Sequence, residues 1–209
     1  MHSDDLIRSI IATGRSLFTR GYAFGTAGNI SCRVEGSIYC TATGCSLGDL
    51  SAEDIAVCNM DGTATSACKP TKELPLHLAA YRSRPECHAV VHLHSGFATA
   101  VSCLKELNTK DALPAFTPYY AMRVPCLPVI AYFPPGDVRL ATELEKLAPE
   151  TPAMLMRNHG SVALGRNLLE ASALAEEIEE TARLFFILGE RGKALGAAEV
   201  SYLRNRGRA

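Results

Sequence analysis

The sequence predicts a single α/β domain in which helices cover a sheet of short strands. Three observations predict it. Apolar residues recur at helical spacing in several stretches, short β-rich runs are bounded by Gly, Asp and Asn, and hairpin-like strand pairs replace a regular strand–helix–strand succession. A chain of 209 residues holds one sizeable core without needing a second domain, so the expectation is one domain over 1–209.

In chain order, Ser3 caps a first helix whose Leu6, Ile7, Ile10, Ile11, Leu17 and Phe18 recur at helical spacing, and Gly21 stops it. Strands follow at about residues 28–34, 37–43 and 54–60, the first two joined at Glu35-Gly36 and the third ended by Asp61-Gly62. Residues 73–84 read as a helix with Leu74, His77, Leu78 and Tyr81 on one side. Pro75 falls in its first turn, where the missing N–H is tolerated. A strand over 88–94 leads into a helix over 95–106. Residues 114–128 are loop-rich, 127–132 read as a strand, and Pro134-Pro135-Gly136 turns the chain into a helix capped by Asp137. Strands at 153–157 and 161–164 flank an Asn158-His159-Gly160 corner, and Asn167 caps the longest helix, which runs to about Gly189. The basic tail, 191–209, has no clear period and is suited to partner contact or disorder.

Composition narrows the function classes. A formal net charge of −1 gives no basic field for nucleic acid, although local donors remain free to capture a small anion. The apolar stretches fall short of a membrane span, and no signal peptide is indicated, so no membrane partner is expected. Eight cysteines without a C-x-x-C pair fit a reducing cytoplasm better than a disulfide framework.

The chemistry-bearing motif is His92-Leu93-His94 at the end of a strand. Residues two apart on a strand share a face, so the two imidazoles project together, and His159 is available as a remote third ligand. Three loops rich in Gly and hydroxyl residues accompany it: Gly25-Thr26-Ala27-Gly28-Asn29-Ile30-Ser31, Thr41-Ala42-Thr43-Gly44-Cys45-Ser46 and Lys69-Pro70-Thr71-Lys72-Glu73. Such loops offer backbone N–H and hydroxyl donors to a phosphate, although any one of them taken alone more usually is just a turn. Glu73 opens a helix, where a carboxylate favours the dipole; beside a metal it would ligate or move a proton. His2, His77 and His88 are read as packing or solvent-facing residues.

With these motifs in this order, the chain resembles the class II aldolase/epimerase family of zinc-dependent sugar-phosphate enzymes, from the first helix through the long final one. The resemblance implies a three-layer α/β/α sandwich around a mainly antiparallel sheet. It implies Zn2+, or another divalent metal, on His92, His94 and His159, with Glu73 as fourth ligand and acid/base. Thr26, Gly28, Asn29, Thr43, Gly44, Thr71 and Lys72 would form the phosphate and substrate cradle. The family's aldolases usually carry two small hydroxyl residues before the glutamate, whereas here the pair is Thr71-Lys72. With the segments 117–124 and 132–137, this looks most like the subgroup that decarboxylates 3-oxo-tetronate 4-phosphates. Tyr119, Tyr120 and Arg123 are then candidates for outer or substrate contacts.

The implied reaction gives dihydroxyacetone phosphate and CO2 through a metal-stabilised enediolate. An aldolase acting on a fuculose- or rhamnulose-type phosphate reaches the same enediolate by expelling an aldehyde, so that enzyme, or a pentulose-phosphate 4-epimerase, is the alternative. An adducin-like binding module is a third reading, disfavoured by the intact His92, His94, His159 and Glu73 set. The family's habit also implies a homotetramer, with tail residues such as Tyr202 or Arg204 reaching a neighbour.

Overall fold

The computed structural model describes residues 3–207; His2 and residues 208–209 of the tail lie outside them. Helix α1 (Ser3–Thr19) is followed by strands β1 (Asn29–Val34), β2 (Ser37–Thr41) and β3 (Ile55–Asn59), then α2 (Leu74–Ser83). Strand β4 (Ala89–Leu93) leads to α3 (Gly96–Ser102) and the short α4 (Pro118–Arg123). The chain continues through β5 (Val129–Ile130), α5 (Val138–Leu147), β6 (Ala153–Met156), β7 (Gly160–Gly165), α6 (Leu168–Leu188) and α7 (Ala197–Gly207). The strands form one sheet in the order β3-β2-β1-β4-β7-β6-β5, antiparallel at every step except the β5–β6 edge. The expected three-layer α/β/α architecture with a mainly antiparallel sheet is therefore observed.

Two apolar clusters, one on each face of the sheet, make the layers. Leu6, Ile10 and Leu17 of α1 join Ile30, Cys32, Val91, Leu93 and Ala175, Ile178 and Ala182 of α6 on one side. Leu74, Leu78 and Tyr81 of α2 join Leu140 and Leu144 of α5, Val90, Met154 and Val162 on the other. The alternation Val90/Val91 and Met154/Leu155 shows the period of two that puts successive strand residues in opposite layers. Side-chain caps from Asn167 on Glu170 N–H and from Asp137 on Arg139 N–H start α6 and α5 where the sequence places them.

Several elements differ from the sequence reading, among them α4, which forms inside the stretch read as loop-rich, and β2, which ends at Thr41. The strand expected over 127–132 shrinks to Val129–Ile130; Pro128, immediately before it, has no N–H to give a ladder. Helix α3 ends at Ser102 instead of continuing to residue 106. The tail is not irregular: Ala197–Gly207 is helical and packs on α4, anchored by Leu195 N–H donating to Ala115 O at 2.9 Å. Its apolar residues are too sparse to show a period, and contact with α4 supplies what the sequence pattern lacks.

Candidate metal centre

Four side chains from three separate regions converge at one end of the central strands. Glu73, His92, His94 and His159 each offer one ligand atom, and those atoms lie within 4.8 Å of one another. His92 sits near the end of β4 on the layer of α2, and His94 follows just beyond it. Their Nε2 atoms are 2.8 Å apart, as the shared strand face requires.

His159 is delivered by the corner between β6 and β7. Asn158 adopts φ 53°, a left-handed conformation that Asn tolerates better than most residues. Gly160 then lies against β4 so closely that a Cβ there would stand 2.2 Å from Leu93 O and 3.2 Å from His94 Cα. The Asn-His-Gly spelling is thus the local requirement for bringing the third ring beside the other two. Ring centroids of the three pairs are separated by 4.7, 5.0 and 4.6 Å.

Glu73 stands at the N-cap position of α2 without a side-chain cap bond, and the placement of that helix over β1 brings its carboxylate in. Oε2 accepts from Asn29 Nδ2 at 2.8 Å and lies 3.1 Å from His92 Nε2; Oε1 is 3.4 Å from His159 Nε2. Among the described residues, Oε1 and both ring nitrogens of His159 are buried without a hydrogen-bond partner. His92 Nδ1 donates to Ser161 O at 2.8 Å, which in the neutral ring leaves the Nε2 lone pair facing His94 and Glu73. Acceptor atoms converging in a buried space need a positive centre. A single proton satisfies one such pair, whereas a divalent cation satisfies all four donors, and N3O is a zinc-type set. The residues present fit a metal.

Electrostatics agree with that fit. Burial, followed by the fields of His92 and His159, lowers His94 to about 3. Burial and then His92 lower His159 to about 4, so both rings are neutral and ready to ligate near pH 7. Burial would lower His92 too, but the Glu73 charge and hydrogen bond outweigh it and the net direction is up. Burial alone would raise Glu73; the charge of His92 and its hydrogen bond, with His159 and Asn29, hold it well below the usual carboxylate range.

The loops lie around this cluster. Gly28, at φ 87°, packs against the backbone of His92, where a Cβ would be 3.0 Å from His92 O. Asn29 is register partner to His92. Thr43 N–H donates to Lys69 O and Thr71 N–H to Thr41 O, which ties the loop holding Thr43 and Gly44 to the segment ending in Glu73. Thr26, Gly44 and Lys72 are exposed, so the loops carry donors at a surface beside the buried cluster. Thr71 is buried, and its Oγ1 accepts from Glu73 N–H at 3.3 Å.

Tyr119, Tyr120 and Arg123 are not brought to the cluster within this chain. Arg123 instead lines a cavity of about 560 Å³ with Arg84, Met122, Leu164 and Arg166. That cavity reaches Gly165, which pairs with Ala89, four residues along β4 and so roughly 13 Å from the Leu93–Ser161 end. Tyr119 is 62% exposed, whereas Tyr120 is buried.

The sequence reading missed two groups. His77, expected to pack or to face solvent, is fully buried and hydrogen-bonded to Asn29 and Ser31. Its signal was the spacing Glu73, His77, Tyr81, which stacks polar groups along one helix face. Glu179 of α6 accepts from Phe97 and Ala98 N–H at 2.8 and 2.7 Å, holding the start of α3 just after His94. No local signal marks it. Of the other histidines not nominated, His88 is exposed, as expected. Among the described residues, no helix is long and apolar enough to cross a membrane.

Comparison with known proteins agrees with the geometry. The Class II Aldolase and Adducin N-terminal domain matches residues 8–186. A 3-oxo-tetronate 4-phosphate decarboxylase of Pectobacterium atrosepticum is 49% identical over 183 residues, covering 87% of this chain and 84% of its own. An L-fuculose phosphate aldolase of Methanococcus maripaludis is 37% identical, covering 83% and 92%. The crystal structure of YgbL from Klebsiella pneumoniae superposes with a TM-score of 0.94 at 46% identity, over 98% of this chain and 100% of that one.

Proposed function

The chain belongs to the class II aldolase and adducin N-terminal domain family, and on that premise we propose that it is a zinc-dependent 3-oxo-tetronate 4-phosphate decarboxylase. It is a carbon–carbon lyase. The observation that carries the reaction type is the 49% identity to a decarboxylase of that name, joined to an intact Glu73, His92, His94 and His159 cluster.

In the reaction the C1–C2 bond breaks, its electron pair moves toward the C3 carbonyl, and C2 takes up one proton, giving CO2 and dihydroxyacetone phosphate. His92, His94 and His159 would hold the metal, with Glu73 as a fourth ligand that substrate can displace. The metal, when bound, supplies Lewis-acid stabilisation of negative charge on the substrate's oxygens. Glu73 carries the proton to C2. Burial favours its protonated form while the neighbouring positive charge favours the ionised one, and the charge dominates, so the free site holds Glu73 as a carboxylate able to take up a proton and pass it on. The donors of Thr26, Gly28, Thr43, Gly44 and Thr71 would seat the phosphate, and Lys72 adds charge for a doubly anionic substrate. The same reading takes the protein as a cytoplasmic homotetramer, in which tail residues such as Tyr202 or Arg204 would reach a neighbouring subunit's site.

The test is a pair of incubations with metal-loaded protein. With 3-oxo-tetronate 4-phosphate the expected result is CO2 release; with fuculose 1-phosphate, no aldehyde. Aldehyde release without CO2 would move the chain to the aldolase reading.

A further inference from the structure

A buried chain of hydrogen bonds runs away from Glu73, into the layer between β1 and α2. Asn29 and Ser31 lie two apart on one face of β1, and Glu73, His77 and Tyr81 lie four apart along α2. The contacts are Tyr81 OH to Ser31 Oγ at 2.6 Å, Ser31 Oγ to His77 Nδ1 at 2.7 Å, His77 Nε2 to Asn29 Oδ1 at 2.6 Å and Asn29 Nδ2 to Glu73 Oε2 at 2.8 Å. His77 and Ser31 are fully buried, and Tyr81, Asn29 and Glu73 nearly so.

The polarity of every link follows from one end. An ionised Glu73 only accepts, so the Asn29 atom facing it is the amide nitrogen and the carbonyl Oδ1 faces His77. A carbonyl only accepts, so His77 Nε2 carries the proton. A neutral imidazole has one N–H, so Nδ1 accepts from the Ser31 hydroxyl. With its proton committed, Ser31 Oγ accepts from Tyr81 OH. Burial lowers His77 to about 3, which agrees with the neutral ring this ordering requires.

We propose that Tyr81, Ser31 and His77 form a polarity-locked relay that holds the Asn29 amide as a donor to Glu73, making His77 a positioning residue for the reacting carboxylate. Without the Nε2–H, the Asn29 amide is free to turn its oxygen toward Glu73, and the carboxylate loses its fixed partner. The side chains of Tyr81, Ser31 and His77 make no hydrogen bond to His92, His94 or His159, so the three histidine ligands keep their places without them. The inference rests on Glu73 as the proton carrier, and the experiment separates the two.

In metal-free wild-type protein, 15N NMR of the imidazoles should show His77 as the neutral Nε2–H tautomer at neutral pH; an Nδ1–H tautomer or an imidazolium overturns the relay. In metal-loaded protein, His77→Phe should lower kcat about 10–100-fold, the worth of one hydrogen bond to a charged group, with KM and metal content within about threefold of wild type. His77→Gln, which still offers an N–H to Asn29, should recover most of that loss. A purely structural role predicts a lower melting temperature with unchanged kcat per folded, metal-loaded molecule, and that result overturns the proposal. Should His77→Phe fail to fold, Ser31→Ala, which removes the link from Tyr81 to His77, should give a smaller loss of kcat at unchanged metal content; an unchanged kcat refutes the relay. If Glu73→Gln keeps turnover while the tautomer is as expected, the Glu73 role fails and the relay stands.

Discussion

Replacing Gly160 with alanine tests whether the approach of β7 to β4 sets the metal geometry. Gly160 is not in the left-handed region, so the cost of a side chain there is steric alone. The new Cβ would lie 2.2 Å from Leu93 O, and an ordinary contact needs about 3.4 Å, so the strands must part by more than 1 Å. The parting occurs between His94 and His159, one on each side of the contact, and it also strains the Ser161 O acceptor of His92. Ligand displacement of about 1 Å lowers turnover roughly 100-fold, and disturbed support lowers metal affinity about 10–100-fold. Competition with a chromophoric chelator reads the affinity, and circular dichroism checks the fold. Gly36→Ala is the control: its φ of 82° makes it costly by about 1–2 kcal/mol, but a Cβ there meets nothing within 4 Å and the turn is remote from the metal ligands. It should lower the melting temperature and leave metal affinity unchanged. Wild-type metal affinity in folded Gly160→Ala protein would refute the reasoning.

Three further outcomes are expected. Glu73→Gln keeps the three histidines and should retain metal by elemental analysis while turnover falls about 10²–10⁴-fold; near-normal CO2 release would end its acid/base role. The exposed Lys72→Gln should raise KM about tenfold with little change in kcat or melting temperature, and an unchanged KM would remove Lys72 from substrate binding. In the metal-free protein, His77 at about 3, His94 at about 3 and His159 at about 4 all lie below the unfolded value near 6.5. Between those limits the unfolded chain binds more protons, so these groups give stability that is full above about pH 6.5 and is lost as pH falls toward 3–4. His92, raised, acts oppositely, with stability present below about 6.5 and lost as pH rises through its folded value. Three groups against one make the melting temperature fall from pH 7 to pH 5; a flat or rising profile contradicts the assigned burial.

Much of the site was legible because its signals are local. His92 and His94 share a strand face by the pleat alone, and Asn158-His159-Gly160 announces a tight corner by composition. The faces of α1 and α2 and the caps Asp137 and Asn167 are likewise matters of a few neighbouring residues. Tertiary structure decided what depends on segments far apart in the chain. The register of Asn29 with His92 and the seating of α2 over β1 bring Glu73 to three rings, and only the packed layers turn His77 from a core residue into a hydrogen-bonded one. Tyr119, Tyr120 and Arg123 went elsewhere because α4 packs with α6 and α7, a partnership no pattern in 117–124 encodes. Periodicity and turn chemistry report which face of an element is to be covered; which element covers it is chosen by the summed fit of surfaces, and that choice creates the metal centre.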